Sequence, residues 1–425
     1  VDMANLLIPL ASLGVSEGIF RNAANRNRDK EAYLTAGLAV LGAGSLAFLL
    51  LSPLLTCIPL FTGTAWLIVL YVLLANLHAV VSQYLFAVGR VRLFAGQGVL
   101  NTVLIIVLNI LFLPVLKLGV TGYVMSTFIA DGLTTLLLVL YTRLWRSVRR
   151  MSLRELWATA KPMLCFCLPL VPATLCWWIT SVSDRYMVAY FLGTDANGLY
   201  AVACKIPTVL TLLSTIFMEA WQFSAIQEAT GDREVHIRFY TQVWSAFLAV
   251  MVMAGSVIIV LCRLEIRMLS TQQYYEAWKY IPTLSMAMVF SAFSSFMGSV
   301  YVVTEKSRLS LWTALWSALA NIFLNFLLIP RIGIQGAAIA TLASYVLCFA
   351  IRAVTSRRLI PFTLFTPRLI GSGLLLAIQS LLCFTANPGA PFFQMACLLL
   401  LLVLNRKPFV LTIQQLAKLV RRKRS

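Results

Sequence analysis

Charged residues are scarce in this chain, and acidic residues are the scarcest of them. Only 12% of the 425 residues are Asp, Glu, Lys or Arg, whereas 60% are hydrophobic. Soluble domains are typically about one quarter charged and less than half apolar. The low charge and a mean hydropathy of +0.87 therefore exclude an ordinary water-soluble domain and indicate a chain whose main solvent is lipid.

Residue patterns that carry catalysis or hold metals are also missing. The nine Cys residues form no Cys-x-x-Cys pair, only two His residues are present, and no Ser/His/Asp set, carboxylate pair or glycine-rich phosphate loop stands out. The sequence thus predicts no enzyme, no metal site and no cofactor. The formal charge of +19 would suggest nucleic acid for a soluble protein. No nucleic-acid partner is predicted here, because the basic residues fall in short loops between apolar runs.

Long apolar runs are what the chain has in abundance. A helix that crosses a bilayer needs ~20 mostly apolar residues, and the runs are too continuous for the alternation of a membrane β-barrel. We predict an all-α integral membrane protein with thirteen spans. Their predicted bounds are 1–20, 32–53, 64–88, 94–114, 119–142, 161–181, 197–221, 239–262, 280–300, 309–330, 333–351, 369–384 and 391–404.

The loops between these spans alternate in charge. Most of the 34 Lys and Arg residues fall on one side, including the basic stretch 143–161 and the tail from Arg406 onward. Because basic loops stay in the cytoplasm, this pattern predicts that Ser425 is cytoplasmic and that Val1 lies on the outer side.

An internal repeat relates the fourth span to the tenth. LNILFLP at 108–114 and LNFLLIP at 324–330 share four of seven residues, and each is followed by a pair of glycines, at Gly119 and Gly122 and at Gly333 and Gly336. The matched spans are six apart, so both copies run in the same direction, as in transporters built from parallel repeats. The sixth span then has no partner, and we expect its counterpart to precede Val1, giving fourteen spans in all.

This repeat predicts four segments. An N-terminal lobe of five spans occupies 1–142 and lacks its first helix; a basic cytoplasmic linker follows at 143–160. A C-terminal lobe of six spans occupies 161–351, and two trailing spans with a basic tail occupy 352–425. The predicted fold is thus two parallel-repeat six-helix lobes plus two trailing helices.

Four stretches carry a resemblance to a known family. They are SDRYMVAYFLGTDANGLYAVACKI at 183–206, LLIPRIGIQGAAIATLASY at 327–345, LASLGVSEGIFR at 10–21 and LFAVGRVRLFAGQGVLNTVL at 85–104. In order and spacing they resemble the polysaccharide-biosynthesis (Wzx-type, O-antigen) flippases of the multidrug/oligosaccharidyl-lipid/polysaccharide exporter superfamily. The resemblance covers nearly the whole chain, apart from the first helix.

The resemblance implies a function and a cargo. It implies a two-lobed transporter of the bacterial inner membrane that works by alternating access. The implied cargo is an oligosaccharide linked to undecaprenyl diphosphate, which moves from the inner to the outer leaflet for cell-surface polysaccharide synthesis. Two relatives remain as alternatives: a cation-coupled multidrug exporter, and the peptidoglycan-precursor flippase.

A diphosphate that crosses lipid needs cations to pair with. Arg185 and Lys205 interrupt the apolar stretch 183–205, and Arg21 closes the first span. We predict that these three residues bind the diphosphate. The alternative is that they anchor helix ends at the membrane surface.

Acidic residues within spans are candidates for coupling transport to H⁺ or Na⁺. The candidates are Asp131, Glu17, Glu219 and Asp184. The alternative is a carboxyl satisfied inside the protein, which for Asp184 would be an ion pair with a neighbouring cation.

Overall fold

The computed structural model describes residues 5–25, 27–57, 65–228, 233–385, 389–406 and 408. The predicted location of Val1 and most of the basic tail fall outside these residues. The described part is helical and contains no strand. Its α-helices are α1 (Leu7–Ser12), α2 (Val15–Ala24), α3 (Lys30–Leu51), α4 (Ala65–Ala87), α5 (Val91–Ile110), α6 (Gly119–Thr142), α7 (Leu153–Cys167), α8 (Leu170–Leu192), α9 (Thr194–Lys205), α10 (Thr208–Glu228), α11 (Arg233–Leu269), α12 (Ile281–Val303), α13 (Ser307–Ile332), α14 (Ile334–Leu359), α15 (Thr366–Cys383) and α16 (Ala390–Leu404).

The all-α membrane class is confirmed. Within the described ranges, ten segments are long and apolar enough to cross a membrane, or eleven if α9 and α10 form one bent span. The helix α16 is apolar but shorter. The prediction of thirteen spans differs mainly because the first predicted span is broken and the last is short.

The first predicted span is two helices rather than one. Leu13 and Gly14 have φ values of 52° and 67°, a left-handed conformation that ends α1 and redirects the chain into α2. Such a conformation is costly for residues with a side chain and natural for glycine. The single helix predicted over 1–20 is therefore wrong in this detail.

The helix that carries Asp184 is longer than predicted. The side chain of Ser152 accepts a hydrogen bond from the Glu155 amide at 3.3 Å, and the Glu155 carboxylate accepts one from the Ser152 amide at 3.0 Å. This capping box starts α7, and the chain continues as α8 to Leu192. Arg185, predicted to follow the sixth span, therefore lies inside a helix rather than beyond its end.

The two copies of the repeat close by the same device. Gly119 and Gly333 have φ values of 57° and 65°, so each starts the turn into the next helix. A Cβ on Gly336 would lie 2.6 Å from backbone atoms of Leu328, and one on Gly122 would lie 3.0 Å from the Cβ of Phe112. The glycines allow helix and returning chain to approach closely in both hairpins, α5–α6 and α13–α14.

The chain forms two compact units. The first runs to Leu175 and includes Glu305–Leu311; the second comprises Cys176–Thr304 and the chain from Trp312 onward. In the first unit, buried apolar residues of α4 pack with Phe128 of α6. In the second, an aromatic cluster fills the centre, with the rings of Trp244 and Phe296 5.2 Å apart.

Candidate ion-binding site

Asp184 is the centre of a polar cluster inside the second unit. Asp184 is only 3% exposed. Its Oδ1 accepts hydrogen bonds from the amide nitrogens of Asn321 at 3.1 Å and Asn325 at 2.6 Å. Its Oδ2 accepts from the hydroxyls of Tyr200, at 3.0 Å, and Thr341. Four helices, α8, α9, α13 and α14, thus meet at one carboxylate.

The surrounding polar atoms hold the two asparagines in place. The hydroxyl of Ser183 donates to Asn321 Oδ1 at 2.9 Å, and Asn325 Nδ2 also lies 3.1 Å from that oxygen. Asn321 and Asn325 are both fully buried. Asn325 Oδ1 has no hydrogen-bond partner among the described residues. A buried acceptor without a donor is costly, so this oxygen is available to a ligand.

The predicted ion pair at Asp184 is absent from the described part of the chain. No Lys or Arg in these ranges lies within ion-pair distance of the carboxylate. All four donors are uncharged, which leaves a negative charge buried in the unit. A buried charge needs a counter-ion or a proton, and this need favours the ion-binding interpretation over the structural one.

The oxygen atoms around Asp184 suit a small hard cation once the two asparagines, whose amide nitrogens face the carboxylate, turn their carbonyl oxygens toward it. Carboxylate, amide carbonyl and hydroxyl oxygens are the donors that such cations prefer. In the described ranges, no group of three His, Cys, Asp or Glu side chains is placed to hold a metal ion. A single carboxylate with neutral oxygens matches one positive charge, either Na⁺ or H⁺.

A second, smaller polar cluster surrounds Asp131 on α6 in the first unit. Asp131 is buried, and its Oδ1 accepts a hydrogen bond from Asn101 Nδ2 at 2.8 Å. The hydroxyl of Thr134 donates to Asn101 Oδ1 at 3.3 Å. His78 Nδ1 lies 3.1 Å from the hydroxyl of Thr135, one helical turn beyond Asp131. The site therefore combines a carboxylate with an amide, as at Asp184, but has fewer donors.

Arg21 is already paired inside the first unit. Its Nη2 lies 2.5 Å from Glu305 Oε1, and Arg28 Nη2 lies 2.7 Å from the same oxygen. Arg21 is buried, with its guanidinium 5.6 Å from the ring centre of Phe166. The ion pair favours the anchoring alternative for Arg21, and its role in binding diphosphate stays a prediction.

The remaining candidates have exposed side chains. Arg185 directly follows Asp184 on α8, and Glu17 lies on α2. Glu219 lies on α10, beside a cavity of about 240 Å³ whose other lining residues include Ser and Thr hydroxyls of α10 and α12. Lys205 ends α9 and lines a different, mostly apolar cavity in the second unit. Their binding roles stay predictions.

Sequence reasoning missed several buried polar residues. Arg352 falls just outside the predicted span 333–351, but it is 3% exposed inside α14. Its Nε donates to Thr313 Oγ1 and its Nη1 to the Ser294 carbonyl, both at 2.9 Å, and its guanidinium lies 5.2 Å from the ring centre of Trp177. The partners of Asp184 were missed too. One signal was available for them: two asparagines four residues apart in the apolar run of α13.

Known structures share this fold. A MATE transporter in the bent conformation matches at 15% identity with a TM-score of 0.68, covering 84% of this chain and 85% of the other. A complex of the MATE transporter ClbM with Rb⁺ matches at 16% identity with a TM-score of 0.65, covering 88% and 87%. An outward-facing multidrug resistance MATE transporter of the MOP superfamily matches at 14% identity with a TM-score of 0.64, covering 84% and 85%.

No family model and no curated protein sequence matches this chain. The structural likenesses, at such low identity, show the fold alone. The chain therefore has the helical fold of the MATE transporters, which agrees with the predicted two-lobed plan.

Proposed function

We propose that this chain is an ion-coupled transporter of a bacterial inner membrane. In this proposal it moves an oligosaccharide linked to undecaprenyl diphosphate from the inner to the outer leaflet. Its proposed activity is transport without catalysis. Val1 lies on the outer side of the membrane and Ser425 in the cytoplasm. The observation that carries the proposal is Asp184: a buried carboxylate with four neutral donors and, in the described ranges, no basic partner.

Ion exchange at Asp184 supplies a physical basis for coupling. The free carboxylate accepts hydrogen bonds from α9, α13 and α14. A bound Na⁺ or H⁺ takes up part of that negative charge and weakens the pull on these donors. An ion shifts a conformational equilibrium only by its difference in affinity for the two states. A site that joins four helices can have such a difference, because their packing sets the distances to the carboxylate.

Arg185 is the best-supported residue for the cargo's diphosphate. It is exposed and adjacent in sequence to Asp184, so occupancy of one site changes the electrostatic potential at the other. Arg forms bidentate hydrogen bonds with phosphate oxygens. Together with the resemblance in four sequence stretches, this pairing of a cation with an ion site supports an anionic lipid-linked cargo.

A multidrug exporter is the second candidate. One of the similar structures is described as a multidrug resistance transporter. The exposed carboxylate of Glu219 lies beside a hydroxyl-lined cavity, and a carboxylate is suited to an organic cation. This candidate requires Glu219 rather than Arg185 to meet the cargo.

A leaflet assay separates the two candidates. The full chain is reconstituted in liposomes, and the accessibility of a short-sugar undecaprenyl diphosphate on the opposite face is followed with and without a Na⁺ or H⁺ gradient. We expect translocation that depends on the gradient and falls in Arg185→Gln. Arg331→Gln, which removes an exposed charge from α13, is the matched control and is expected to retain transport. Efflux of a cationic dye without glycolipid translocation, lost in Glu219→Gln, would instead support the drug exporter.

A further inference from the structure

A groove in the second unit is lined by two opposite charges and many apolar side chains. One side is formed by the end of α9 and the start of α10, and the other side by the last turns of α11. The volume of the groove is about 360 Å³. Lys205 and Glu265 both face it, with Val209, Ile258, Ile266 and Leu269 among the apolar lining. It is separate from the Asp184 cluster, which none of these residues joins.

The two charged residues of the groove lie at helix ends. Glu265 is four residues before the end of α11 at Leu269, which is roughly 6 Å along the helix axis. Lys205 is at the last position of α9, where the chain bends by 42° into α10. Leu269 is 76% exposed and Val209 is 60% exposed. Glu265 is thus near the end of a long apolar helix, and Lys205 lies at the bend between α9 and α10, with an open apolar surface alongside.

The two charges do not satisfy each other. No ion pair joins Lys205 to Glu265, and no other acid within the described ranges pairs with Lys205. The Oε2 atom of Glu265 is buried and has no hydrogen-bond partner in the same part of the chain. A buried carboxylate oxygen without a donor is costly, so an external group that donates an N–H or O–H would stabilise it.

We propose that this groove binds a zwitterionic phospholipid that carries a primary ammonium group, the chemistry of phosphatidylethanolamine. The phosphate pairs with Lys205, the ammonium donates hydrogen bonds to Glu265, and an acyl chain lies along the apolar residues of α10 and α11. A quaternary ammonium has no N–H to donate to Oε2. An anionic headgroup or a diphosphate would satisfy Lys205 but would be repelled by Glu265. In this proposal Lys205 binds a membrane lipid, whereas Arg185 binds the diphosphate of the cargo.

Native mass spectrometry of the delipidated full chain in detergent tests this proposal. The protein is titrated with phosphatidylethanolamine, phosphatidylcholine and phosphatidylglycerol that have identical acyl chains. We expect the ethanolamine lipid to bind about tenfold more tightly than the choline lipid, the range of one hydrogen bond to a charged group. Glu265→Met, which removes the acceptor as well as the charge, should abolish this preference. Lys205→Gln should weaken binding of both zwitterionic lipids.

A matched control is available outside the groove. Glu276, which pairs with Lys279, lies in the 3-10 segment after α11, so Glu276→Met should leave the lipid preference intact. Equal binding of the ethanolamine and choline lipids, preference for phosphatidylglycerol, or a preference that survives Glu265→Met would overturn the proposal. Tighter binding of an undecaprenyl diphosphate than of the ethanolamine lipid would overturn it too and return Lys205 to the cargo site. None of these readouts needs transport, so they stand apart from the leaflet assay.

Discussion

Replacing Asp184 by Asn removes the charge of the proposed ion site with little change in shape. Oδ1 accepts from two amides, whereas Oδ2 accepts from the hydroxyls of Tyr200 and Thr341. If the new amide nitrogen takes the place of Oδ2, both hydroxyls can turn and accept from it, because a hydroxyl is both donor and acceptor. The carbonyl oxygen then stays opposite the two asparagines. We therefore expect the variant to fold.

The expected loss of ion affinity can be worked from charge alone. Two unit charges about 4 Å apart interact by about 4 kcal/mol at an effective dielectric constant of about 20. Without the carboxylate, the affinity for Na⁺ should fall by a factor on the order of a thousand, since about 1.4 kcal/mol corresponds to tenfold. For H⁺, the amide has no basic site at all, so binding should be lost.

Thermal unfolding measures the loss of ion binding. An ion that binds only the folded state stabilises it by about 2.7 kcal/mol at a concentration of about 100 times its dissociation constant. The unfolding temperature of the wild-type protein should therefore rise as Na⁺ replaces a large organic cation at constant ionic strength. If the ion is H⁺, it should rise as the pH is lowered. Asp184→Asn should lose this dependence. It should also lose gradient-driven transport in liposomes.

Asp195→Asn provides the matched control, because Asp195 is an exposed acid at the start of α9. It should keep the full response to the ion. If Asp184→Asn folds and its unfolding temperature still rises with Na⁺ or H⁺ as in the wild type, the assignment of the ion site to Asp184 is refuted. A response lost equally in both variants would also contradict it, since net charge alone would then account for the effect.

Three further substitutions test the surrounding structure. Asn325→Leu removes a buried donor to Asp184; we expect about 1.5–3 kcal/mol lower unfolding free energy and, because this donor stabilises the empty carboxylate, about tenfold tighter binding of H⁺, and an unchanged titration would contradict this role. Arg352→Lys keeps the charge but cannot reproduce two N–H donors held by a planar guanidinium; a loss of about 1–3 kcal/mol by denaturant unfolding is expected, and wild-type stability would argue against a buried, bonded side chain. Gly336→Ala places a Cβ 2.6 Å from backbone and should cost about 1–3 kcal/mol, whereas Gly96→Ala, which meets no atom within 4 Å, should be neutral or stabilising; equal effects would show that the close approach is absent.

The sequence predicted the class of protein and much of its helical plan, because those depend on local properties. Apolar length identifies membrane helices whatever they pack against, and the predicted span 119–142 coincides with α6. The repeat was visible from LNILFLP and LNFLLIP because glycine and proline act on the backbone at their own positions. Gly119 and Gly333 indeed both have positive φ where the chain turns into α6 and α14. Asp184 could be suggested as an ion site on the same basis, as an acid among apolar residues.

The tertiary structure alone decided which polar residues meet. Asn321 and Asn325 lie 137 and 141 positions from Asp184, and nothing in the local pattern around either segment specifies that contact. Mean hydropathy does not record which face of a helix a residue occupies, so Arg352 was left outside the predicted span 333–351 although it is buried within α14. The end of the sixth predicted span was misplaced for the same reason. α8 continues to Leu192, because packing inside the unit stabilises polar helical turns that a hydropathy pattern places outside the span. Composition and periodicity determine that a segment enters the membrane, whereas side-chain direction and distant packing determine which charges are left without partners there.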